Sequence, residues 1–207
     1  FDLEIPYGAV VALTGRSGSG KSTLLYLLGL MLRPHGGRLE VEGVDTGPWG
    51  DADRARLRAR SFGFVFQDSV LLPWRTALDN ALFPFEIMGN REKSDEKHVR
   101  ELFALARLVG FEESYPRQLS GGMKQRVSIV RALSYNPPIL LMDEPFGALD
   151  AITRDNLNNV LLEIWESTRK TVIFVTHSIS EAVYLSDRII VMGTKPGRVL
   201  KDMKVTL

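Results

Sequence analysis

Gly15-Arg16-Ser17-Gly18-Ser19-Gly20-Lys21-Ser22-Thr23 lies between the apolar run Ala9-Val10-Val11-Ala12-Leu13 and the leucine-rich run Leu24-Leu25-Tyr26-Leu27-Leu28. An apolar β-prone run, a glycine-rich turn and a helical run, in that order, are the context in which G-x-x-x-x-G-K-S acts as a phosphate loop. The chemistry asks for these residue types. Glycines let the backbone wrap so that successive N–H groups point at one anion, and a helix starting near Lys21 aims its positive dipole end at the same place. Lys21 is then placed to reach the β- and γ-phosphates of a nucleotide, and the Ser22 hydroxyl to ligate Mg²⁺. A flexible glycine-serine turn is the bland alternative, and it gives no account of the flanking strand and helix.

Phosphoryl transfer needs more than a cradle: a carboxylate must hold the metal and a second group must position the attacking water. Ile139-Leu140-Leu141-Met142-Asp143-Glu144 offers both at the end of a buried-looking strand. Asp143 is the candidate metal holder, and Glu144 the candidate base in line with the γ-phosphate. Two acids capping the helix after Pro145 are the alternative. Gln67 directly follows the strand-like run Ser61-Phe62-Gly63-Phe64-Val65-Phe66 and is a candidate for sensing metal or water. Alone, it would read as an exposed strand end. His177 ends the run Val172-Ile173-Phe174-Val175-Thr176 on what should be the same sheet edge, where an imidazole can hydrogen-bond a γ-phosphate. Alone, it would read as a structural histidine. His35 and His98 fall in a turn and a charged helix and receive no role.

With 207 residues the chain can bury a sizeable core as one large α/β domain, with or without a small subdomain. Its 26 basic and 25 acidic residues leave a net charge of +1, so nothing in the overall balance calls for nucleic acid. The absence of cysteine excludes a disulfide scaffold and thiolate metal sites and agrees with a reducing compartment. The longest apolar run, Leu24 to Leu32, is about half of the roughly twenty residues a membrane span needs. No secretory signal, repeat or low-complexity segment is visible, and the opening at Phe1 inside a strand-like run points to a start further upstream.

Phe1 to Ile5 alternates apolar and acidic residues, the period of a half-exposed edge strand, and Pro6-Tyr7-Gly8 turns it. The helix after the phosphate loop is expected to run to about Leu32, where Arg33-Pro34-His35-Gly36-Gly37 breaks it. Arg38 to Glu42 reads as another strand. Asp51 to Arg60, with arginines at 54, 56, 58 and 60, reads as a helix with a solvated face, a lipid or partner contact being the alternative. Between Leu71 and Asn136 the character turns helical, which predicts a helical subdomain at about 71–136 inserted in a core of 1–70 and 137–207. Within it Val99, Leu102, Phe103, Ala106 and Val109 share one helical face, Ser94 can cap its start and Gly110 can stop it. Short β runs alternating with helices, including one near Thr153 to Ser167, argue for an α/β fold with a mostly parallel sheet. Arg188 to Met192, the turn Lys195-Pro196-Gly197 and Arg198 to Leu200 read as an antiparallel hairpin at its edge.

One more segment decides the family. In Leu119-Ser120-Gly121-Gly122-Met123-Lys124-Gln125-Arg126, Ser120 can cap a helix whose two glycines admit close approach of phosphate, a second anion site in one chain. With the phosphate loop, Gln67, Asp143-Glu144, Ala148-Leu149-Asp150 and His177 in that order, the chain resembles the nucleotide-binding subunit of an ATP-binding-cassette transporter from Leu3 to about Val199. The resemblance implies a head-to-tail dimer, with ATP held between residues 15–23 of one copy and Ser120-Gly121-Gly122 of the other, and Mg²⁺ at Ser22, Gln67 and Asp143. Asp150 would link the two sites. It also implies a peripheral position on the cytoplasmic face of the membrane, bound to transmembrane permease subunits, and no nucleic-acid partner. Leu71, Leu72, Trp74, Phe83 and Phe85 are candidates for the permease groove, with core packing as the alternative. The family stacks adenine on an aromatic residue about 25 to 30 positions before the loop lysine, a contact worth about 1 to 3 kcal/mol. Tyr7 is too near Lys21 for that role, so the platform is absent or lies upstream of Phe1.

Gln118 to Arg198, with Met142-Asp143-Glu144-Pro145-Phe146-Gly147, Glu163-Ile164-Trp165 and Pro196-Gly197-Arg198, resembles importer subunits for nitrate, sulfonate and taurine, and Leu72-Pro73-Trp74 fits them too. Such importers would add a solute-binding protein as an indirect partner. Leu57 to Gly89 also resembles the ATPases of macrolide exporters and lipoprotein-release systems, which stay as the alternative. Importer subunits with long regulatory C-terminal domains do not fit the few residues after Arg198, and DNA- or ribosome-directed cassettes need insertions or tandem copies that 207 residues cannot hold. A module that binds ATP without hydrolysing it would not need both Glu144 and His177.

Overall fold

The computed structural model describes residues 2–89, 91–147, 149–194 and 196–205. Its strands in chain order are β1 (Val10–Gly15), β2 (Glu40–Val41), β3 (Val44–Asp45), β4 (Phe62–Val65), β5 (Ile139–Asp143), β6 (Thr171–Val175), β7 (Arg188–Gly193) and β8 (Arg198–Lys204). The helices are α1 (Lys21–Leu28), α2 (Asp51–Ser61), α3 (Ala77–Met88), α4 (Lys93–Leu105), α5 (Gly121–Leu133), α6 (Ala151–Thr168) and α7 (Ile179–Leu185).

Consecutive apolar residues in β1, β5 and β6 follow from burial on both faces, since neighbouring side chains in a strand point to opposite sides. Val11, Leu13, Leu141, Ile173 and Val175 enter one core cluster with Leu25 of α1 and Leu57 of α2. Ala12, Leu140, Met142, Val172 and Phe174 enter the other, with Leu82 of α3, Phe103 of α4, Val127 of α5 and Leu161 of α6. The sheet order is β4-β5-β6-β1-β7-β8, parallel from β4 to β7, with β8 antiparallel to β7. This is the α/β fold with a mostly parallel core sheet and an antiparallel edge that the sequence predicts. Between β4 and β5 the described secondary-structure elements are helices: α3 packs on α4 and α5, and α5 returns against β4 and α6.

Several expectations are corrected. Residues 2–5 keep the alternation, with Leu3 and Ile5 half-buried against the second cluster, but form no ladder, and Phe1 lies outside the described residues. β7, the strand whose Arg188 reaches the Glu4 carbonyl (2.6 Å), already has both edges paired, to β1 and β8. Of Arg38 to Glu42 only Glu40–Val41 is strand, paired to Val44–Asp45. α1 ends at Leu28 rather than Leu32 because Leu30 turns left-handed (φ 59°), so that the Leu30 N–H bonds the Leu27 carbonyl (3.0 Å) and the Met31 N–H the Tyr26 carbonyl (2.8 Å), while Gly29 packs so closely that a Cβ there would lie 2.6 Å from the Phe64 ring. α2 is not a plain solvated face. Arg54 is 4% exposed and donates to the Leu32 carbonyl, while Arg58 donates to the Leu30 carbonyl at 2.9 Å, so two arginines satisfy the chain that leaves α1. α4 starts on Glu92, whose N–H donates to Asp95 (2.7 Å), rather than on Ser94. It stops at Leu105, before Gly110, so Val99, Leu102, Phe103 and Ala106 are buried while Val109 is 67% exposed.

The loop between β4 and α3 is held by a residue the sequence did not mark. Asn80, fully buried, accepts from the Leu72 N–H (2.7 Å), and its amide donates to the carbonyls of Leu72 and Thr76 at 3.1 and 2.9 Å. Replacing it by alanine strands these groups, so Asn80→Ala should lower stability by about 2 to 3 kcal/mol. Urea unfolding with an unchanged midpoint would refute this.

Candidate functional site

Residues 16–20 leave the end of β1 and turn into α1 through Gly20, whose φ of 88° is left-handed. No side chain caps α1 and no acid occupies its first turn, so its leading N–H groups face an anion without competition. Gly15 has to be glycine: a Cβ would overlap the Met192 carbonyl of β7. From the turn that follows, Gly197 approaches so closely that its Cβ would sit 3.0 Å from the Ser19 carbonyl. The turn end of one hairpin thus brackets the loop. Lys21 is 5% exposed, and its ammonium donates to the Gly15 and Arg16 carbonyls at 3.0 and 3.1 Å. Burial pushes its pKa below the usual lysine range, partly opposed by the charges of Glu144 and Asp143.

Parallel strands β1, β5 and β6 all end at this edge, and they bring the predicted acids and histidine to the loop. Ser22 Oγ donates to Asp143 Oδ1 at 2.9 Å, and Tyr26 Oη donates to Asp143 Oδ2 at 2.6 Å. That second bond, ahead of burial and the Asp143 charge, raises the Tyr26 phenol to about 12. Glu144 has a left-handed φ of 48°, its N–H held by the Val175 carbonyl at 3.1 Å, and its Oε1 lies 2.5 Å from His177 Nε2. Gln67 lies against the same loop: a Cβ on Gly147 would come within 2.8 Å of its Nε2. His177 is set by a buried relay in which Thr176 donates to Glu181 and accepts from the Ser178 N–H (3.0 Å). Arg154 Nε lies 3.4 Å from Glu181 and its Nη2 donates to the Leu149 carbonyl at 3.0 Å, tying this turn to the start of α6.

Ser120 caps α5, accepting from the Met123 N–H at 3.2 Å. Gly122 is buried so closely against α6 that a Cβ would overlap the Thr153 methyl, and Gly121 faces Leu149. Asp150 caps α6, accepting from the Thr153 N–H (3.0 Å) and hydroxyl (2.7 Å), which hold its carboxyl below the usual range. Ala148 of this motif, and Lys195 of the hairpin turn, lie outside the described residues. Ser120, Gly121, Gly122 and Asp150 therefore form one group and residues 15–23, Asp143, Glu144, His177 and Gln67 another. Among the described residues no hydrogen bond or ion pair joins Ser120, Gly121 or Gly122 to residues 15–23.

The loop fits nucleotide phosphates: besides its open helix end, the buried Ser19 hydroxyl has no hydrogen-bond partner among the described residues. Asp143 with Ser22 fits Mg²⁺, which takes one or two protein oxygens and fills the remaining positions from phosphate and water. Sequence reasoning missed Tyr26, Arg154 and Glu181; only Tyr26 carries a local signal, being one helical turn from Ser22. Of the groove candidates, Phe85 is 6% exposed and belongs to the core, and Leu71 packs against it, because α3 turns that face inward. Phe83 lies under the Arg75 guanidinium (4.8 Å), and Trp74 and Val70 are 71% and 62% exposed.

Residues 1–147 match the family model described as ABC transporter. The chain is 44% identical over 207 residues to an uncharacterized ABC transporter ATP-binding protein of Methanocaldococcus jannaschii, covering 100% of this chain and 74% of that protein. It is 42% identical over 200 residues to the aliphatic sulfonates import ATP-binding protein SsuB of Bacillus cereus (97% and 75% covered). It is 45% identical over 201 residues to the taurine import ATP-binding protein TauB of Pseudomonas putida (97% and 72% covered). Among solved structures it resembles the dimeric post-hydrolysis state of the ATP-binding cassette MJ0796 bound to ADP and Pi. The TM-score is 0.86 at 38% identity, covering 99% of this chain and 88% of that one.

Proposed function

This chain belongs to the ABC transporter family, and from that premise we propose that it is the ATP-hydrolysing subunit of an importer for sulfur compounds of the sulfonate and taurine kind. The observation that carries the hydrolytic reading is the convergence of Lys21, Asp143, Glu144 and His177 on one strand edge. The uncapped α1 N-terminus and the Lys21 ammonium bind the β- and γ-phosphates. Glu144 accepts the proton of the attacking water, and the His177 Nε2–H, which meets that carboxylate at 2.5 Å without nucleotide, turns to donate to the γ-phosphate when nucleotide is bound. Ser22, Asp143 and Gln67 would hold Mg²⁺, which would supply positive charge against the nucleotide phosphates.

The Ser120-Gly121-Gly122 end of α5 completes the site of a second copy, which accounts for its separation from the loop within one chain. The exposed Trp74 and Val70 serve the permease, through which a solute-binding protein delivers cargo. That contact keeps the subunit peripheral on the cytoplasmic face. Among the described residues no helix is long and apolar enough to cross a membrane.

Because the chain has no cysteine, a chain carrying both Ser120→Cys and the exposed Ser17→Cys tests the shared site directly. Crosslinked dimer formed only with ATP is expected, and its absence at high protein concentration would overturn the shared site. Reconstituted with its permease and a solute-binding protein, the subunit should drive uptake of taurine or an alkanesulfonate. ATP hydrolysis without uptake of either would overturn the cargo assignment.

A further inference from the structure

Asp143 is gripped at both oxygens by side chains of α1, Ser22 at Oδ1 and Tyr26 at Oδ2, one helical turn apart on the same face. Of these two, Ser22 has a part in the proposed site; Tyr26 has none. Its position is fixed from both sides. The Tyr26 carbonyl accepts the N–H groups of Met31 (2.8 Å) and Leu32 (3.2 Å) as the chain leaves α1, and the next carbonyls, Leu30 and Leu32, are held by Arg58 and Arg54 of α2. The ring is half-buried, so its hydroxyl meets Asp143 with little freedom to turn away. A carboxylate with one oxygen held can present the other in a single orientation, and outer partners of this kind commonly set metal affinity by about 10- to 100-fold.

We infer that Tyr26 is a positioning residue for the metal: by donating to Asp143 Oδ2 it fixes the rotamer in which Oδ1 and the Ser22 hydroxyl together receive Mg²⁺. The inference rests on the nucleotide-site reading above. Tyr26→Phe keeps the ring and removes only the donor.

The test is calorimetric ATP binding in excess Mg²⁺ and in EDTA, for the native chain and the variant, with Mn²⁺ binding to the nucleotide complex followed by electron paramagnetic resonance. The variant should match the native chain in EDTA and lose about tenfold of the affinity that the metal adds, with weaker Mn²⁺ binding. Equal metal enhancement in both proteins would overturn the inference, as would a parallel loss in EDTA, which marks a merely structural residue. No ATP binding by the native chain would instead overturn the nucleotide-site reading.

Discussion

Glu144→Gln should slow ATP hydrolysis by about 10² to 10⁴, the range lost when a general base is removed. The amide keeps the shape of the carboxylate and can still bond His177, which lies 2.5 Å from Oε1, but it cannot take a proton from water. The backbone is unaffected in kind: the left-handed φ of 48° and the bond to Val175 are main-chain features that glutamine can share with glutamate. Lys21, the open end of α1, Ser22 and Asp143 are untouched, so ATP binding is retained. Bound but uncleaved nucleotide should then hold two copies together, visible as an ATP-dependent dimer by light scattering. Hydrolysis at the native rate in single-turnover assays would send the search to another base; a persistent monomer at high concentration would remove the shared site.

The second large effect concerns binding. Lys21→Ala removes a cation that makes two hydrogen bonds across the loop and that the nucleotide would draw to its phosphates. Two charge-assisted bonds at about 1.5 to 3 kcal/mol each correspond to a loss of about 10²- to 10⁴-fold in MgATP affinity. Unchanged affinity by calorimetry would remove Lys21 from the site. A pH dependence follows with a definite sign. Burial lowers the Lys21 pKa in the free protein, whereas phosphate binding favours the charged form. ATP binding therefore takes up a proton once pH rises through the lowered pKa, and affinity falls there. The decline should begin at lower pH than for an exposed lysine.

What could be read without coordinates was whatever is local. The phosphate loop is legible because its glycines, lysine and hydroxyls are contiguous, and β5 and β6 because strands covered on both faces show as unbroken apolar runs. Ser120 as a cap, the β7–β8 hairpin and the acids at the end of β5 follow for the same reason. The misses are tertiary. α1 stops early because Leu30 turns left-handed beside a glycine packed on a ring from β4, a conformation that periodicity does not see. Arg54 and Arg58 look like solvent-facing charges until the carbonyls of Leu30 and Leu32 are placed beneath them. Tyr26 belongs to the site only through a partner 117 residues away. Arg154 and Glu181 lie on helices with no motif, and their meaning comes from the two turns they join.

The hairpin that brackets the phosphate loop has a consequence for the order of events in the cell. Ribosomes deliver residues 15–23 before the Met192 carbonyl and Gly197 that shape them, which follow some 170 positions later. Until then the nascent segment has its glycines but not its walls, and the entropy of a slack chain opposes capture of any triphosphate. Capture of ATP by the growing chain is therefore expected only once residues 192–197 have been added.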